Sequence, residues 1–274
     1  MNLENDKNEV VSWLSSYLNS INELEGKTVV DIPAGDGRSC VLFQRKGAKV
    51  VALDLYPEFM KAPGIEAKYA DMAERLPLDD ASADIVLCQE GIEHVSNQLG
   101  LLQEFNRVLK ADGRLIITAP SISHIRGRVS ELFFESDYWK RMPPSEVDSV
   151  WFSEARSDRL YFGHVFLIGV QRLRTLAAFS GLTLEQRRWG ELSPTSIILG
   201  IFLWPLVFLM SFYTWRRAVS RVSSHGRAEK LTTLREQFTL NVSPKTLFCK
   251  HIFWVLRKTR DNAETTKYLK SLQG

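Results

Sequence analysis

The chain is poor in cysteine. Its three thiols, Cys40, Cys88 and Cys249, stand far apart with no Cys-x-x-Cys pair among them. That spacing excludes a disulfide framework and a zinc ribbon, and it fits a reducing compartment. An export signal is also missing. The opening residues, Met1-Asn2-Leu3-Glu4-Asn5-Asp6-Lys7, are polar and acidic where a secretory leader needs a basic start and an apolar run, so a cytoplasmic protein is expected. No internal repeat or low-complexity tract is present. Net charge is small, +3 over 274 residues, but unevenly spread. Residues 1–215 carry 22 Lys/Arg against 28 Asp/Glu, whereas residues 216–274 carry 13 against 4. A basic end of this kind suits an anionic surface, or is simply a solvated basic helix.

What is there begins with length enough for one α/β domain with insertions. Its organising stretch is Thr28-Val29-Val30-Asp31-Ile32-Pro33-Ala34-Gly35-Asp36-Gly37-Arg38. A β-branched run closes on a carboxylate and passes through a glycine turn into a helix over 38–46. Glycines there let backbone approach a ligand, and the helix start offers unpaired N–H groups, so the stretch predicts a nucleotide-cofactor site. Upstream, Val10, Val11, Leu14, Leu18 and Ile21 recur at helical spacing, predicting an amphipathic helix that packs on the core.

Downstream, buried runs keep ending in acids. Residues 49–54 form a second strand closed by Asp54, about twenty residues after Gly35, the spacing at which a carboxylate reaches a ribose. A third strand over 67–70 ends at Asp71, and a fourth spans 83–89. A periodic helix over 98–109 stops at Asp112-Gly113, and a fifth strand over 114–119 is closed by Pro120. This alternation predicts a parallel sheet flanked by helices, with ligands at the strands' carboxyl ends. The pattern then breaks into an aromatic and charged segment, read as an inserted cap over 121–168. A helix over 171–179 and strands over 182–189 and 251–256 complete the reading. The expected organisation is an N-terminal helical piece (1–24), a core (25–190 with 246–260), and an apolar and basic helical insertion (191–245).

The succession resembles the class I S-adenosylmethionine-dependent methyltransferases, in particular the type 11 group. The resemblance rests on Asp31-Ile32-Pro33-Ala34-Gly35-Asp36-Gly37, Ala52-Leu53-Asp54, Tyr69-Ala70-Asp71-Met72, Leu76-Pro77-Leu78, Asp84-Ile85-Val86 and Glu93-His94-Val95. It continues through Glu104-Phe105-Asn106-Arg107-Val108-Leu109-Lys110 and Asp112-Gly113-Arg114 to Ile116-Ile117-Thr118-Ala119-Pro120. It covers residues 25–120, and Pro33 replaces the usual first glycine. A nicotinamide-binding domain would instead want a third glycine where Cys40 stands. The resemblance implies a Rossmann-like, mostly parallel seven-stranded sheet with the last strand antiparallel, here with an inserted helical cap.

It also implies S-adenosylmethionine as cofactor. Asp31, Ala34, Gly35 and Gly37 would hold its methionine part, Asp54 and Leu55 the ribose region, Asp71 and Met72 the adenine, and Gln89 and Glu90 the carboxy-amino end. His94 and His124 are the candidate bases facing the acceptor, and His164, also where the family's acceptor pockets form, could serve as one or be structural. The set Glu90-x-x-Glu93-His94 resembles that of ubiquinone-pathway O-methyltransferases, where a divalent metal assists, but with no further ligand identifiable no metal centre is expected here. The Arg126-Gly127-Arg128 stretch could grip an anionic acceptor or be a solvated loop.

The acceptor stays open in the residues. The apolar run 197–213, interrupted by Gly200 and Pro205 and followed by Trp215-Arg216-Arg217, would reach about 25 Å as a helix, slightly short of a span. A single crossing would strand the final β-strand on the wrong side of the membrane. The run is therefore expected either to enter one leaflet and return, kinked at Pro205, giving peripheral contact with the inner face, or to lie buried as a lid. A lipid-linked or envelope glycan hydroxyl is the acceptor suggested by that run. A protein lysine is the alternative suggested by Glu131, Glu135, Asp137, Tyr138 and Trp139. A non-catalytic cofactor-binding protein is the reading suggested by Pro33, and nucleic acid is not expected as a partner.

Overall fold

The computed structural model describes residues 9–21, 24–136, 142–147, 149–153, 156–224 and 226–272. Helix α1 (Glu9–Asn19) precedes strand β1 (Thr28–Asp31), whose short apolar run leads through the glycine turn into α2 (Arg38–Arg45). Then follow β2 (Lys49–Asp54), β3 (Ala67–Tyr69), β4 (Ala83–Gln89), α3 (Gln98–Val108) and β5 (Leu109–Pro120). The fifth strand starts five residues earlier than the Asp112-Gly113 turn suggests. Asp112 takes a left-handed conformation inside it, and the ladder to β4 shifts register between Ala83 and Ile85.

After β5 come α4 (Ile125–Phe134), β6 (Val150–Ser153), β7 (Arg156–Phe162), α5 (Val170–Phe179) and β8 (Leu182–Arg187). The chain closes with α6 (Pro194–Val219), α7 (Arg227–Val242), α8 (Pro244–Phe248), β9 (His251–Lys258) and α9 (Asn262–Ser271). Seven strands form one sheet in the order β3-β2-β1-β4-β5-β9-β8. The first five strands pair in parallel, and β9 is antiparallel to both β5 and β8. This is the Rossmann-like sheet expected, with the last strand antiparallel.

Two apolar layers hold the sheet. One, through Val30, Leu102, Phe105, Ile117 and Trp254, seats α3 and α5; the other, through Leu14, Tyr17, Phe43, Leu87 and Phe253, seats α1 and α2. Side chains alternating along the buried strands feed opposite layers, as pleating requires. Much of the motif over 104–110 serves this frame. Glu104 accepts from Leu76 N at 2.8 Å, and Arg107 donates to Leu78 O at 2.9 Å and to Glu104 at 2.6 Å, fastening the loop before β4.

Both insertions leave and rejoin the core at closed points. Ser121 and Ile168 form a parallel bridge at the base of the cap, and Leu192 and Cys249 an antiparallel bridge at the base of the second excursion. The cap contains the expected helix, α4, and also the antiparallel pair β6–β7. The second excursion corrects the buried-lid reading of the apolar run, and the shape expected of the membrane-contacting one. It is one continuous helix with Pro205 inside it, not a segment that turns back, and its large side chains are exposed rather than buried as a lid. Helix α9 lies beyond the expected core boundary at 260, and begins at a capping box between Asp261 and Glu264.

Candidate active site

The turn after β1 is tied to the end of β2. Asp54 Oδ2 accepts from Gly35 N at 2.7 Å and Oδ1 from Tyr56 N at 2.8 Å, while Ala34 N donates to Leu53 O at 2.9 Å. Gly35 (φ 52°) and Gly37 (φ 83°) both occupy the left-handed region. A Cβ on Gly37 would sit 2.4 Å from Met60 Sδ. One on Gly35 would meet nothing within 4 Å, so that backbone faces open space. The Ile32–Pro33 peptide is cis, and the Pro33 ring lies where a Cβ on Gly91 would stand, so the turn also packs against the segment after β4.

At the carboxyl ends of these strands lies a cavity of about 110 Å³ whose lining includes Asp54, Leu55, Asp71, Met72, His94 and Phe162. Four of the ten expected cofactor residues, and one of the two candidate bases, therefore share one lining. The volume is below the roughly 300–1,000 Å³ typical of whole ligand pockets. A cofactor here would extend into the open space beside Gly35. A larger cleft, about 1130 Å³, lies among α5, β8, α7 and α9 but contains none of the strand-end acids, so its size is no argument for chemistry.

The remaining expected cofactor residues surround the turn rather than the cavity. Gln89 Oε1 accepts from Ser39 Oγ at 3.0 Å, joining β4 to the start of α2. Glu90 adopts φ 48°, a conformation non-glycine residues rarely take. Its Oε2 is 3.5 Å from His251 Nε2, and its Oε1 is buried without a hydrogen-bond partner. Asp31 is buried; Cys40 Sγ donates to its Oδ2 at 3.1 Å, and Oδ1 has no partner. Burial pushes this carboxyl up to about 7, against the Cys40 hydrogen bond and with help from the Asp54 charge. An orphaned, buried carboxylate oxygen beside a glycine turn is the feature a cationic amino group would satisfy, so these residues fit the implied cofactor.

His94 sits on the short helical turn after β4, its Nδ1 2.7 Å from Phe162 O at the end of the cap. A neutral ring then donates from Nδ1 and accepts at Nε2, and burial holds its pKa below the ordinary imidazole value. Beside it are two more residues, Glu93 and His164. Glu93 is fully buried with both carboxylate oxygens unpartnered, and burial, then the Glu90 charge, push it up to about 8. The His164 ring lies 5.1 Å from that of His94. Ligand atoms of Glu93, His94 and His164 all fall within 4.8 Å of one another, so the set could relay a proton or hold a divalent cation. The expectation of no metal centre rested on a missing further ligand, and His164 is that ligand type. The motif Glu90-x-x-Glu93-His94 already contained the signal for Glu93. His164, expected where the family's acceptor pockets form, is carried in by the cap from seventy residues away.

His124 does not join this group and does not line the cavity. It stands at the start of α4, buried, with Nδ1 2.7 Å from Ser121 O. Burial lowers its pKa to about 4. Arg128 is likewise engaged, donating to Ser123 O at 2.7 Å and to Asn241 Oδ1 at 2.8 Å, which makes it a strut rather than a solvated loop. The proposed lysine-recognition residues Asp137, Tyr138 and Trp139 lie outside the described residues.

Comparison with known proteins agrees with this geometry. Residues 30–117 match a family model described as a methyltransferase domain. The ubiquinone biosynthesis O-methyltransferase of Xylella fastidiosa (strain M23) is 31% identical over 111 residues, 37% of this chain and 45% of that protein. The demethylmenaquinone methyltransferase of Clavibacter sepedonicus is 31% identical over 150 residues, 50% of this chain and 58% of that one. The chain thus spans only about half the length of these relatives. Among solved structures, the YcgJ protein of Bacillus subtilis superposes with a TM-score of 0.52 at 17% identity, covering 90% of this chain and 98% of that one. An S-adenosylmethionine dependent methyltransferase from Mesorhizobium loti gives 0.50 at 14%, covering 90% and 97%. These two establish the fold.

Proposed function

Residues 30–117 belong to the type 11 methyltransferase-domain family, and from that premise we propose that the chain moves a methyl group from S-adenosylmethionine to a hydroxyl oxygen of an acceptor held in or near lipid. The observation that carries this reading is His94, a neutral imidazole on the cofactor cavity wall with Nε2 as its accepting nitrogen. A hydroxyl acceptor has one proton to lose, and a base at that position takes it. The name of the Xylella relative, an O-methyltransferase of ubiquinone biosynthesis, favours a hydroxyl acceptor, and that of the Clavibacter relative, a methyltransferase of demethylmenaquinone, favours a lipid-soluble acceptor over a protein lysine.

The sulfonium, when bound, supplies an already activated methyl group. The protein's share is alignment, exclusion of water and proton removal, and alignment alone contributes on the order of 7 kcal/mol or more. Asp54 would meet the ribose, and the Gly35 backbone and Asp31 the methionine part, with Asp31 receiving its amino group. His94 would take on Nε2 the proton that the hydroxyl loses when it is methylated. The His164 ring, 5.1 Å from that of His94, lies beside this base.

Two measurements test the reading. Calorimetry with S-adenosylmethionine and its homocysteine product tests cofactor use, and no heat with either rejects it. Tritiated methyl transfer into lysate split into lipid, protein and RNA fractions tests the acceptor. Label is expected in the lipid fraction; label in protein restores the lysine alternative, and binding without transfer favours a non-catalytic protein.

The raised pKa of Asp31 adds a signed pH dependence. The free carboxyl is neutral below about 7 and must ionise to pair with an ammonium, so binding displaces a proton in that range. Cofactor affinity is expected to fall by up to about tenfold per pH unit as pH drops from 7 to 5. Asp31→Asn should bind more weakly and lose this slope. A wild-type affinity flat across that window would remove Asp31 from the site.

A further inference from the structure

Helix α6 is built inside out. Its inward positions are small or hydroxylic. Ser196 and Ser211 are buried, and a Cβ on Gly200 would meet the Phe248 ring at 2.5 Å and Ile125 Cδ1 at 3.3 Å. Arg126 N donates to Ser196 Oγ at 3.1 Å, and Asn241 Nδ2 to Ser211 Oγ at 2.7 Å. Its outward positions are large and apolar. Ile198, Ile201, Phe202, Leu209, Met210 and Tyr213 are all between 56 and 76% exposed. Soluble helices place these classes the other way round, and an uncovered stripe of this length is a surface awaiting an apolar partner. Among the described residues α6 is also the one helix long and apolar enough to cross a bilayer.

The topology forbids crossing. β8 and β9, on either side of the excursion, are neighbours in one sheet. Helix α7 returns along α6, with Trp204 Nε1 donating to Val242 O and Phe238 packing on Phe208, Phe212 and Trp215. The same helix is fixed to the domain body by Arg174–Glu236 at 2.9 Å and by Gln171 donating to Gln237 O. The helix therefore lies along the body with its inward face occupied, and only its outward face can meet lipid. Charge identifies the lipid. At 100° per residue, Arg216 falls in line with Ile198 and close to Phe202 and Leu209, at the C-terminal end of the apolar stripe. Arg216, Arg217 and Arg221 are exposed there, within the segment that holds 13 Lys/Arg against 4 Asp/Glu.

We propose that α6 is an in-plane anchor, sinking its Ile198–Phe202–Leu209 face into one leaflet of an anionic membrane while Arg216 and Arg217 meet the headgroup phosphates. This geometry follows from apolar burial in the interfacial region together with attraction of basic side chains to anionic lipid. It requires nothing of the methyl-transfer chemistry, and it stands or falls separately.

Flotation of the full-length protein with vesicles of phosphatidylcholine and phosphatidylglycerol (3:1), and with phosphatidylcholine alone, tests it. Wild type is expected to float with the mixed vesicles and at least several-fold less with neutral ones. The double variant Phe202→Glu/Leu209→Glu, both positions exposed, is expected to lose at least tenfold in partitioning with an unchanged thermal melt and unchanged heat of cofactor binding. Arg216→Glu/Arg217→Glu should abolish the preference for anionic vesicles. The proposal is overturned by wild type that floats with neither vesicle, or by the Phe202/Leu209 variant floating as wild type does. It is also overturned if light scattering shows a dimer that this variant dissociates while wild type fails to float, since the stripe would then be covered by a second copy.

Discussion

Replacing Asp54 by alanine is expected to weaken S-adenosylmethionine binding about 10- to 100-fold, the worth of one charge-assisted hydrogen bond of about 1.5–3 kcal/mol. The loss has two origins. The carboxylate would no longer meet the ribose, and the turn would lose the anchor that Asp54 gives to Gly35 N and Tyr56 N. A ribose role alone predicts weaker binding with an unchanged melt, whereas an anchoring role alone predicts a lower melt with binding largely recovered at low temperature. Both effects together are the expected result, read by calorimetry and by thermal unfolding. Asp54→Asn should separate them further, since the amide oxygen can keep one backbone donor while losing the charge. Near-wild-type affinity in Asp54→Ala would refute the ribose assignment.

The second large effect is expected at His94. His94→Ala should lower turnover by about 10²- to 10⁴-fold, the usual contribution of a positioned base, with a far smaller change in cofactor affinity. His94→Gln is the informative companion, because its amide can still donate to Phe162 O but cannot take a proton. If glutamine restored turnover, the imidazole would be only a strut between the site and the cap. The pH profile supplies a check on the sign. A base acts when unprotonated, and burial holds this imidazole below its ordinary value. With S-adenosylmethionine saturating, so that Asp31 is already ionised, the acid limb of kcat/KM for the acceptor is therefore expected at lower pH than for a solvated histidine, and it should vanish in the glutamine variant.

The frame and half of the site were legible in the sequence for one reason. Each parallel strand is a short buried run with a polar residue at or just after its carboxyl end, so Asp31, Asp54, Asp71 and Gln89 marked both the strands and the edge at which a ligand is expected. What escaped depends on closure over long separations. Phe166 N donates to Glu93 O at 3.2 Å, and Gln98 Nε2 donates to Phe166 O at 2.6 Å; these bonds bring the cap's return segment, and His164 with it, beside His94. No window of sequence contains both partners. The burial of Glu93 was hidden in the same way, because an acid next to a histidine reads as a solvated pair until the surrounding fold is in place. Hydropathy marked the run 197–213 but could not say which of its faces was large and which small, and that arrangement separates a buried lid from an exposed stripe. His124 was expected at the acceptor from its position after the fifth strand; the structure places it at the entry to α4, its Nδ1 bonded to Ser121 O, away from the cavity that His94 lines.

The bridges that close each insertion at its base have an evolutionary meaning. Ser121–Ile168 and Leu192–Cys249 make the sheet a socket into which segments of different length can be plugged. Doubling the length of such a segment costs only about 0.6 kcal/mol in closure entropy. On the readings proposed above, exchanging the cap would alter the acceptor side and exchanging the second excursion would alter membrane contact, each with the cofactor turn left untouched.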